Sequence, residues 1–298
     1  MSGKLMKGLK RLLFALLALF VVTVTGCAKE QKEALSKSTT KERVIALSKS
    51  NAELWVLAGG TLLATSDDAF EIEGLDADVK NLGDMDHVSL EAIAALDPDY
   101  LIVFSTDPAQ KALGEAAQEI GIEVRYTNID GYRDYEEVMT EFTTYTGRED
   151  LYELYVNQVK EQINQVKERV PKEADEKTYL LLHVSATKSK AEKNDYFASE
   201  IFNDLGLSNI AADGSVFEEL SMEAILTADP AYIFVVPRGD EKKAMESFES
   251  IFAADPAWES LSAVKEGHYM LLPKDLFGLK PNHRWGNAYE EAYQLIYP

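Results

Sequence analysis

A single cysteine, Cys27, stands in a chain of 298 residues. No intramolecular disulfide and no cysteine-based zinc cluster can form from it. Cations are scarce as well: 30 Lys and Arg face 51 Asp and Glu, for a formal charge of −21. That balance denies the chain the cationic face that phosphates require, so nucleic acid is not expected as a partner. No apolar run reaches the roughly 20 residues that a comfortable transmembrane helix needs. Also missing are a Gly-x-Gly-x-x-Gly turn, a phosphate loop, a Gly-x-Ser-x-Gly elbow and a His-Glu-x-x-His pair. Acid pairs such as Asp67 and Asp68 are adjacent and do not converge on one point. The chain therefore carries no signature of an enzyme. Apolar material is plentiful, with 46% of residues hydrophobic and 10% aromatic. This supports one large domain or two medium ones and excludes disorder over most of the length.

The first segment reads as an export signal. Lys4, Lys7, Lys10 and Arg11 precede an apolar or small run from Leu12 to Thr25, which ends at Gly26 and Cys27. Val24-Thr25-Gly26-Cys27 resembles the bacterial lipobox, in which the cysteine is acylated and becomes the mature N-terminus. A plain signal anchor with an incidental cysteine is the alternative. Cleavage before Cys27 removes those cations and leaves the mature chain still more acidic. Residues 28–41 are polar and lack apolar periodicity, as a tether between lipid and domain would. The expected organisation is a signal peptide over 1–26, lipidated Cys27 with its tether to 41, a first lobe over 42–148, a linking helix over 149–171 and a second lobe over 172–298.

Within the first lobe, Arg43–Leu47, Leu62–Thr65, Tyr100–Phe104 and Val124–Tyr126 read as strands. Ala52–Ala58, Leu90–Leu96, Ala109–Ile120 and Tyr135–Tyr145 read as helices between them. Alternation of this kind predicts an α/β lobe with a mostly parallel sheet. The second lobe repeats the style, with strands at Tyr179–Val184, Tyr232–Val236 and His268–Leu272. Its helices are expected at Phe197–Leu205, Met222–Ala228, Glu241–Phe252 and Gly286–Tyr297. Between the lobes, Tyr152, Tyr155, Val156, Val159, Ile163, Val166 and Val170 form one apolar stripe at helical spacing. A helix from Asp150 to Val170 would be roughly 30 Å long. It contains no glycine and reads as a rigid strut, or alternatively as an ordinary crossover helix inside one domain.

An internal repeat carries the most information. Ser89-Leu-Glu-Ala-Ile-Ala-Ala-Leu-Asp-Pro-Asp-Tyr-Leu-Ile-Val103 aligns without a gap on Ser221-Met-Glu-Ala-Ile-Leu-Thr-Ala-Asp-Pro-Ala-Tyr-Ile-Phe-Val235. In each copy a serine caps a short helix, a glutamate suits its first turn, Asp-Pro ends it, and an apolar strand follows. Two copies on either side of the strut imply lobes of the same architecture. With the lipobox, Arg43-Val-Ile-Ala-Leu-Ser48 followed by Glu53, and the C-terminal Trp258-Glu-Ser-Leu-Ser-Ala-Val-Lys-Glu-Gly267 stretch, the chain resembles a known family. These are the substrate-binding lipoproteins of bacterial ABC importers for siderophores, haem and cobalamin. The resemblance spans about Arg43 to Pro298 and implies two Rossmann-like lobes bridged by one long helix, with the ligand in the cleft between them.

The resemblance also implies roles. Glu91 and Glu223, one in each repeat, match the glutamates that dock on the permease; read alone, each is a helix-dipole glutamate. The cleft should be lined by loops at 48–51, 83–88, 105–107, 185–197, 237–240 and 274–284. Ser48, Asn51, Met85, His87, Tyr196, Arg238, Phe277, Lys280, His283 and Arg284 are the candidate ligand-binding residues. Cations beside aromatic rings suit an anionic or planar ligand. For Trp285 packing is the expected role, for His87 solvent exposure, and for His183 a structural one. If the ligand were haem, Met85 or His87 could reach iron from one side and His283 or Tyr196 from the other. Asp86 and Arg238 occupy positions where a haem-binding pattern would have Met and His, which ranks a ferric siderophore first, with haem or cobalamin as the alternative. A zinc or manganese binder, or a surface receptor without transport, is the reading of another class. No cofactor is expected. The expected state is a monomer, lipid-anchored on the outer face of the cytoplasmic membrane, working with a permease and its ATPase.

Overall fold

The β-branched run Arg43–Leu47 becomes β1 (Val44–Ala46), buried along its whole length. It is the centre of a sheet completed by β2 (Ala64–Thr65), β3 (Lys80–Asn81), β4 (Tyr100–Phe104) and β5 (Glu123–Thr127). The order is β3-β2-β1-β4-β5, and every neighbouring pair is parallel. Successive strands run outward from β1 in one direction and then from β4 in the other. The crevice at the carboxyl ends of β1 and β4 is thus a topological switch point, where open α/β sheets bind ligands. A computed structural model describes residues 42–172, 177–212 and 221–298. Cys27, the signal segment and the tether lie outside the described residues.

The second sheet holds β6 (Lys177–Val184), β7 (Ser189–Ala191), β8 (Leu207–Asn209), β9 (Tyr232–Pro237) and β10 (Tyr269–Leu271). Its order is β10-β9-β6-β7, with β8 also pairing β6. Only the β6–β7 pair is antiparallel. The two-sheet α/β architecture is therefore the one the alternation predicts. Strands β3, β7 and β8 escape a reading of the sequence because their residues, Lys80–Asn81, Ser189–Ala191 and Leu207–Asn209, are mostly polar, whereas the equally short β1, β2 and β10 sit in apolar runs.

The repeat is structural in detail. Ser89 Oγ accepts from the Ala92 N–H and Ser221 Oγ from the Ala224 N–H, both at 3.2 Å. Asp97 and Asp229 both lie in the left-handed region, at φ 49 and φ 39. Proline after each aspartate keeps it out of the right-handed helical region, and aspartate tolerates the alternative. The chain then turns directly into β4 or β9.

The linking helix differs from a uniform strut. It runs through Glu149–Tyr152, a π-helical turn at Glu153–Asn157, and Gln158–Glu168. A π turn widens the helix by one residue and displaces its carbonyls. Two of these are satisfied from the preceding helix, Tyr132–Thr146: Tyr135 Oη donates to the Tyr155 carbonyl and Tyr132 Oη to that of Val156, each at 2.7 Å. The expected stripe is the buried face, with Val156, Val159, Ile163 and Val166 all within the core. The last helix, Trp285–Ile296, packs across it.

One apolar core joins both sheets. It runs from Val44 and Tyr100 through Tyr132, Val159 and Trp285 to Phe197, Tyr179 and Phe234. Trp285, fully buried, meets Tyr132 edge-on at 6.0 Å and Phe197 edge-on at 5.8 Å. Packing is thus its role, as expected. At Gly286 the last helix touches the linking helix so closely that an added Cβ would lie 2.2 Å from Gln162 Oε1 and 2.8 Å from Gln162 Cβ. The Cβ cannot swing away as a side-chain tip can. Gly286→Ala should therefore destabilise the fold by about 1–3 kcal/mol, read as a lower urea midpoint with unchanged slope. A midpoint equal to wild type would show that the two helices can part without cost.

Candidate functional site

A cavity of about 220 Å³ opens at the switch point, lined by Ser48, Lys49, Ser50, Glu53, Asp68, Met85 and Phe104 from the first lobe and by Tyr196, Phe197, Gly278, Leu279, Lys280 and Arg284 from the second. The first wall is the turn from β1 into the helix Lys49–Leu57. Ser48 has φ 80 and ψ 146 and caps that helix, its Oγ accepting from the Asn51 N–H. A non-glycine residue in this region is strained by about 1–3 kcal/mol, and such residues gather at ligand sites. Neighbours hold it: the Ser48 N–H donates to Ser66 Oγ at 2.8 Å, Ser66 Oγ donates to Asp68, and Asp68 accepts from the Lys49 N–H at 2.8 Å.

The second wall brings aromatic and cationic groups. Lys280 Nζ lies 4.8 Å from the centre of the Phe197 ring and donates to the Ile129 carbonyl of the first lobe. Burial pulls its pKa below the ordinary lysine value, although Asp130, Asp134 and Glu192 oppose the shift. Arg284 Nη1 pairs with Asp275 at 3.1 Å, while its Nε is buried without a partner. Ser50 Oγ is likewise buried and unpartnered. Tyr196 Oη donates to the Phe277 carbonyl at 2.6 Å, and burial pushes its pKa up. Behind it, Glu192 accepts from His183 Nδ1 and Lys190 Nζ, both at 2.9 Å. Burial alone would raise the Glu192 carboxyl, but these two partners hold it below the usual value.

Of the residues the sequence singled out, Ser48, Met85, Tyr196, Lys280 and Arg284 meet in this cavity. The other five do not. Asn51 is fully buried behind the wall, donating to the Leu47 carbonyl and accepting from Thr127 Oγ1, so it braces β1 against β5. Phe277 is also fully buried, its ring stacked on Phe202 at 5.8 Å, and belongs to the core. His87 is exposed and leans on Asp84 at 3.4 Å. Arg238 is exposed beyond the end of β9. His283 turns to the linking helix, edge-on to Tyr155 at 5.7 Å, and burial lowers its pKa. Of the four side chains weighed as iron ligands, Met85 and Tyr196 line the cavity, and His87 and His283 do not. The four histidines stay apart: His183 rests on Glu192, and His268 is stacked on Tyr232 at 4.5 Å.

Lys49, Ser50, Glu53, Asp68, Phe104, Phe197, Gly278 and Leu279 complete the lining. Most sit within two residues of the loops or strand ends expected to face the cleft, and Asp68 comes from the turn after β2. Glu91 and Glu223 are both exposed in the first turns of their short helices, away from the cavity lining.

Residues 44–276 match the family model described as periplasmic binding protein, and the chain belongs to that family. The Fe(3+)-citrate-binding protein of Bacillus subtilis is 26% identical over 241 residues, which cover 77% of this chain and 72% of the relative. The iron(3+)-hydroxamate-binding protein of the same organism is 28% identical over 203 residues, covering 64% of this chain and 59% of that protein. Among solved structures, that of Staphylococcus aureus IsdE complexed with heme superposes with a TM-score of 0.73 at 15% identity, covering 87% of this chain and all of the other. This last likeness is one of fold.

Lys280 gives a pH signature. Its folded pKa lies below the ordinary 10.5. Between the two values the unfolded chain keeps a proton that the folded chain has lost, so stability rises with pH across that window. Lys280→Met abolishes this contribution. Urea unfolding at neutral and alkaline pH should show wild type gaining on the variant as pH climbs toward 10.5; parallel pH curves would contradict the assignment.

Proposed function

We propose that this chain is the lipid-anchored, extracytoplasmic binding component of an ABC importer, and that its cargo is a compact ferric chelate of the siderophore or citrate kind. One observation carries the reading: two cations on a single loop, Lys280 and Arg284, enter an interlobe cavity beside Met85, Phe104, Tyr196, Phe197 and Leu279, while its two carboxylates, Glu53 and Asp68, already accept from Asn282 and from Ser66 and the Lys49 N–H. A ferric chelate arrives with its iron already saturated by oxygen ligands, so the protein need only recognise the outer shell. Lysine and arginine suit anionic oxygens, each charge-assisted bond contributing about 1.5–3 kcal/mol. The volume supports a compact cargo, since about 220 Å³ falls below the roughly 300–1,000 Å³ of ordinary small-molecule pockets. The relatives named for Fe(3+)-citrate and iron(3+)-hydroxamate agree in chemistry. No resident cofactor is needed, because the iron is cargo. Relatives named as ABC transporter substrate-binding lipoproteins support the anchor at Cys27. Among the described residues no helix is long and apolar enough to cross a membrane.

Haem is the second reading, because Met85 and Tyr196 line the same cavity. Titration with ferric citrate, a ferric trihydroxamate and haemin, followed by tryptophan emission and by absorbance, separates the two. Ferric chelates should quench emission. Lys280→Ala and Arg284→Ala should each weaken binding about tenfold or more, and His87→Ala should leave it unchanged. A Soret band lost in Met85→Ala, with neutral cation variants, would make haem the cargo.

Glu91 and Glu223 are proposed as the permease-docking pair, since the repeat sets one exposed glutamate at the same point of each lobe. Charge reversal at both should abolish uptake in cells while leaving chelate affinity intact. Normal uptake by the double variant would refute the assignment.

A further inference from the structure

Asn282 is fully buried, sits at φ 51, and lies in sequence between Lys280 and Arg284, the two cations that this loop brings to the cavity. Left-handed backbone is uncommon outside glycine, with asparagine and aspartate the best tolerated. What the conformation achieves is a crossing between lobes. Asn282 Nδ2 donates to Glu53 Oε2 at 2.6 Å, and lies 3.3 Å from the Ser50 carbonyl as well. Ser50 and Glu53 form the facing wall of the cavity. Lys280 makes a second crossing, to the Ile129 carbonyl. The loop that carries both cations is thus fastened to the opposite lobe by a residue that does not itself line the cavity.

We propose that the Asn282–Glu53 hydrogen bond is a clasp, and that Asn282 is a positioning residue for ligand capture. It holds Lys280 and Arg284 at their spacing across from the Ser48–Glu53 wall before any ligand arrives. This rests on the reading of the cavity as the ligand site. The physical basis is preorganisation: an ordered loop spares each binding event the entropy of ordering it. The loop is anchored at its two ends by the buried Phe277 and Trp285, and its middle depends on these crossings. Its internal backbone bonds are local, Gly278 and Leu279 N–H to the Lys274 carbonyl and Arg284 N–H to that of Pro281. Those local bonds leave the middle of the loop to be held by its crossings to the other lobe, of which the Asn282 bonds are the ones made by a side chain outside the cavity lining.

A donor–acceptor exchange tests this in the full-length protein. Asn282→Asp keeps the size and the tolerance for positive φ but sets a carboxylate against that of Glu53, where like charges repel. Adding Glu53→Gln restores the bond with the roles reversed, the glutamine amide donating to the aspartate. Asn282→Gly keeps the backbone conformation without the amide, so it separates the clasp from the turn. Two readouts are followed: hydrogen exchange of the 278–284 amides in the ligand-free protein, and affinity for ferric citrate as probe. Asn282→Asp and Asn282→Gly should both lose protection in this loop and bind the probe about tenfold more weakly, and the double variant should regain the protection. Unchanged protection in Asn282→Asp, or a double variant no better protected than the single one, would overturn the clasp. Wild-type protein that ignores ferric citrate, while the exchange pattern holds, would instead refute the cargo reading and leave the clasp standing.

Discussion

Trp285, wedged edge-on between Tyr132 of the first lobe and Phe197 of the second, is the contact on which the rest of the arrangement depends. A buried aromatic of this size removes a large apolar area from water and packs with a defined geometry. Through it one face of each sheet joins a shared core, while the opposite face of each keeps a core of its own, around Leu101 and Val103 in the first and around Ile233 and Val235 in the second. The cavity lies beside this contact, with Phe197 in its wall and Arg284 adjacent in sequence to Trp285. Anything that parts the lobes at the cavity must therefore also unpack Trp285. A second polar tie follows the same line. Glu200 of the second lobe accepts from the Tyr132 N–H at 3.0 Å, at the start of the helix Tyr132–Thr146. Burial raises the Glu200 carboxyl, and the N–H of Tyr132 works against that shift.

Fold class and repeat could be read from the sequence because both rest on local physics. The serine caps, the Asp-Pro stops and the strands that follow are short-range devices, and the structure reproduces them in both copies. The π turn in the linking helix could not be read. It depends on Tyr132 and Tyr135 reaching displaced carbonyls from another helix, which no periodicity records.

The site was half legible, and the division is instructive. Sequence reasoning found loops at strand ends, because topology puts ligands there, and it found Lys280 and Arg284 because cations stand out in so acidic a chain. It could not tell which way a side chain points. Phe277 and Leu279 are neighbours on one loop, yet Phe277 is wholly buried on Phe202 while Leu279 lines the cavity at 41% exposure. Asn51 and Ser50 differ in the same way. Rotation along a turn changes by a large angle at each residue, and only tertiary packing fixes its phase.

Charge poses the last question: how a chain of net charge −21 would capture the anionic chelate proposed as its cargo. Long-range repulsion acts against encounter, but at physiological salt it fades beyond about 8 Å. Inside the cavity the local charges decide. Burial disfavours the Lys280 ammonium, and Asp130, Asp134 and Glu192 offset part of that cost from outside the lining. Their arrangement keeps the cation available without pairing it directly within the site, since Lys280 Nζ donates to a neutral carbonyl. Arg284 is paired on one side only, with its Nε still unpartnered. Both cations thus retain hydrogen-bonding capacity that the fold does not use. A ligand bringing anionic oxygens would give these donors charge-assisted partners.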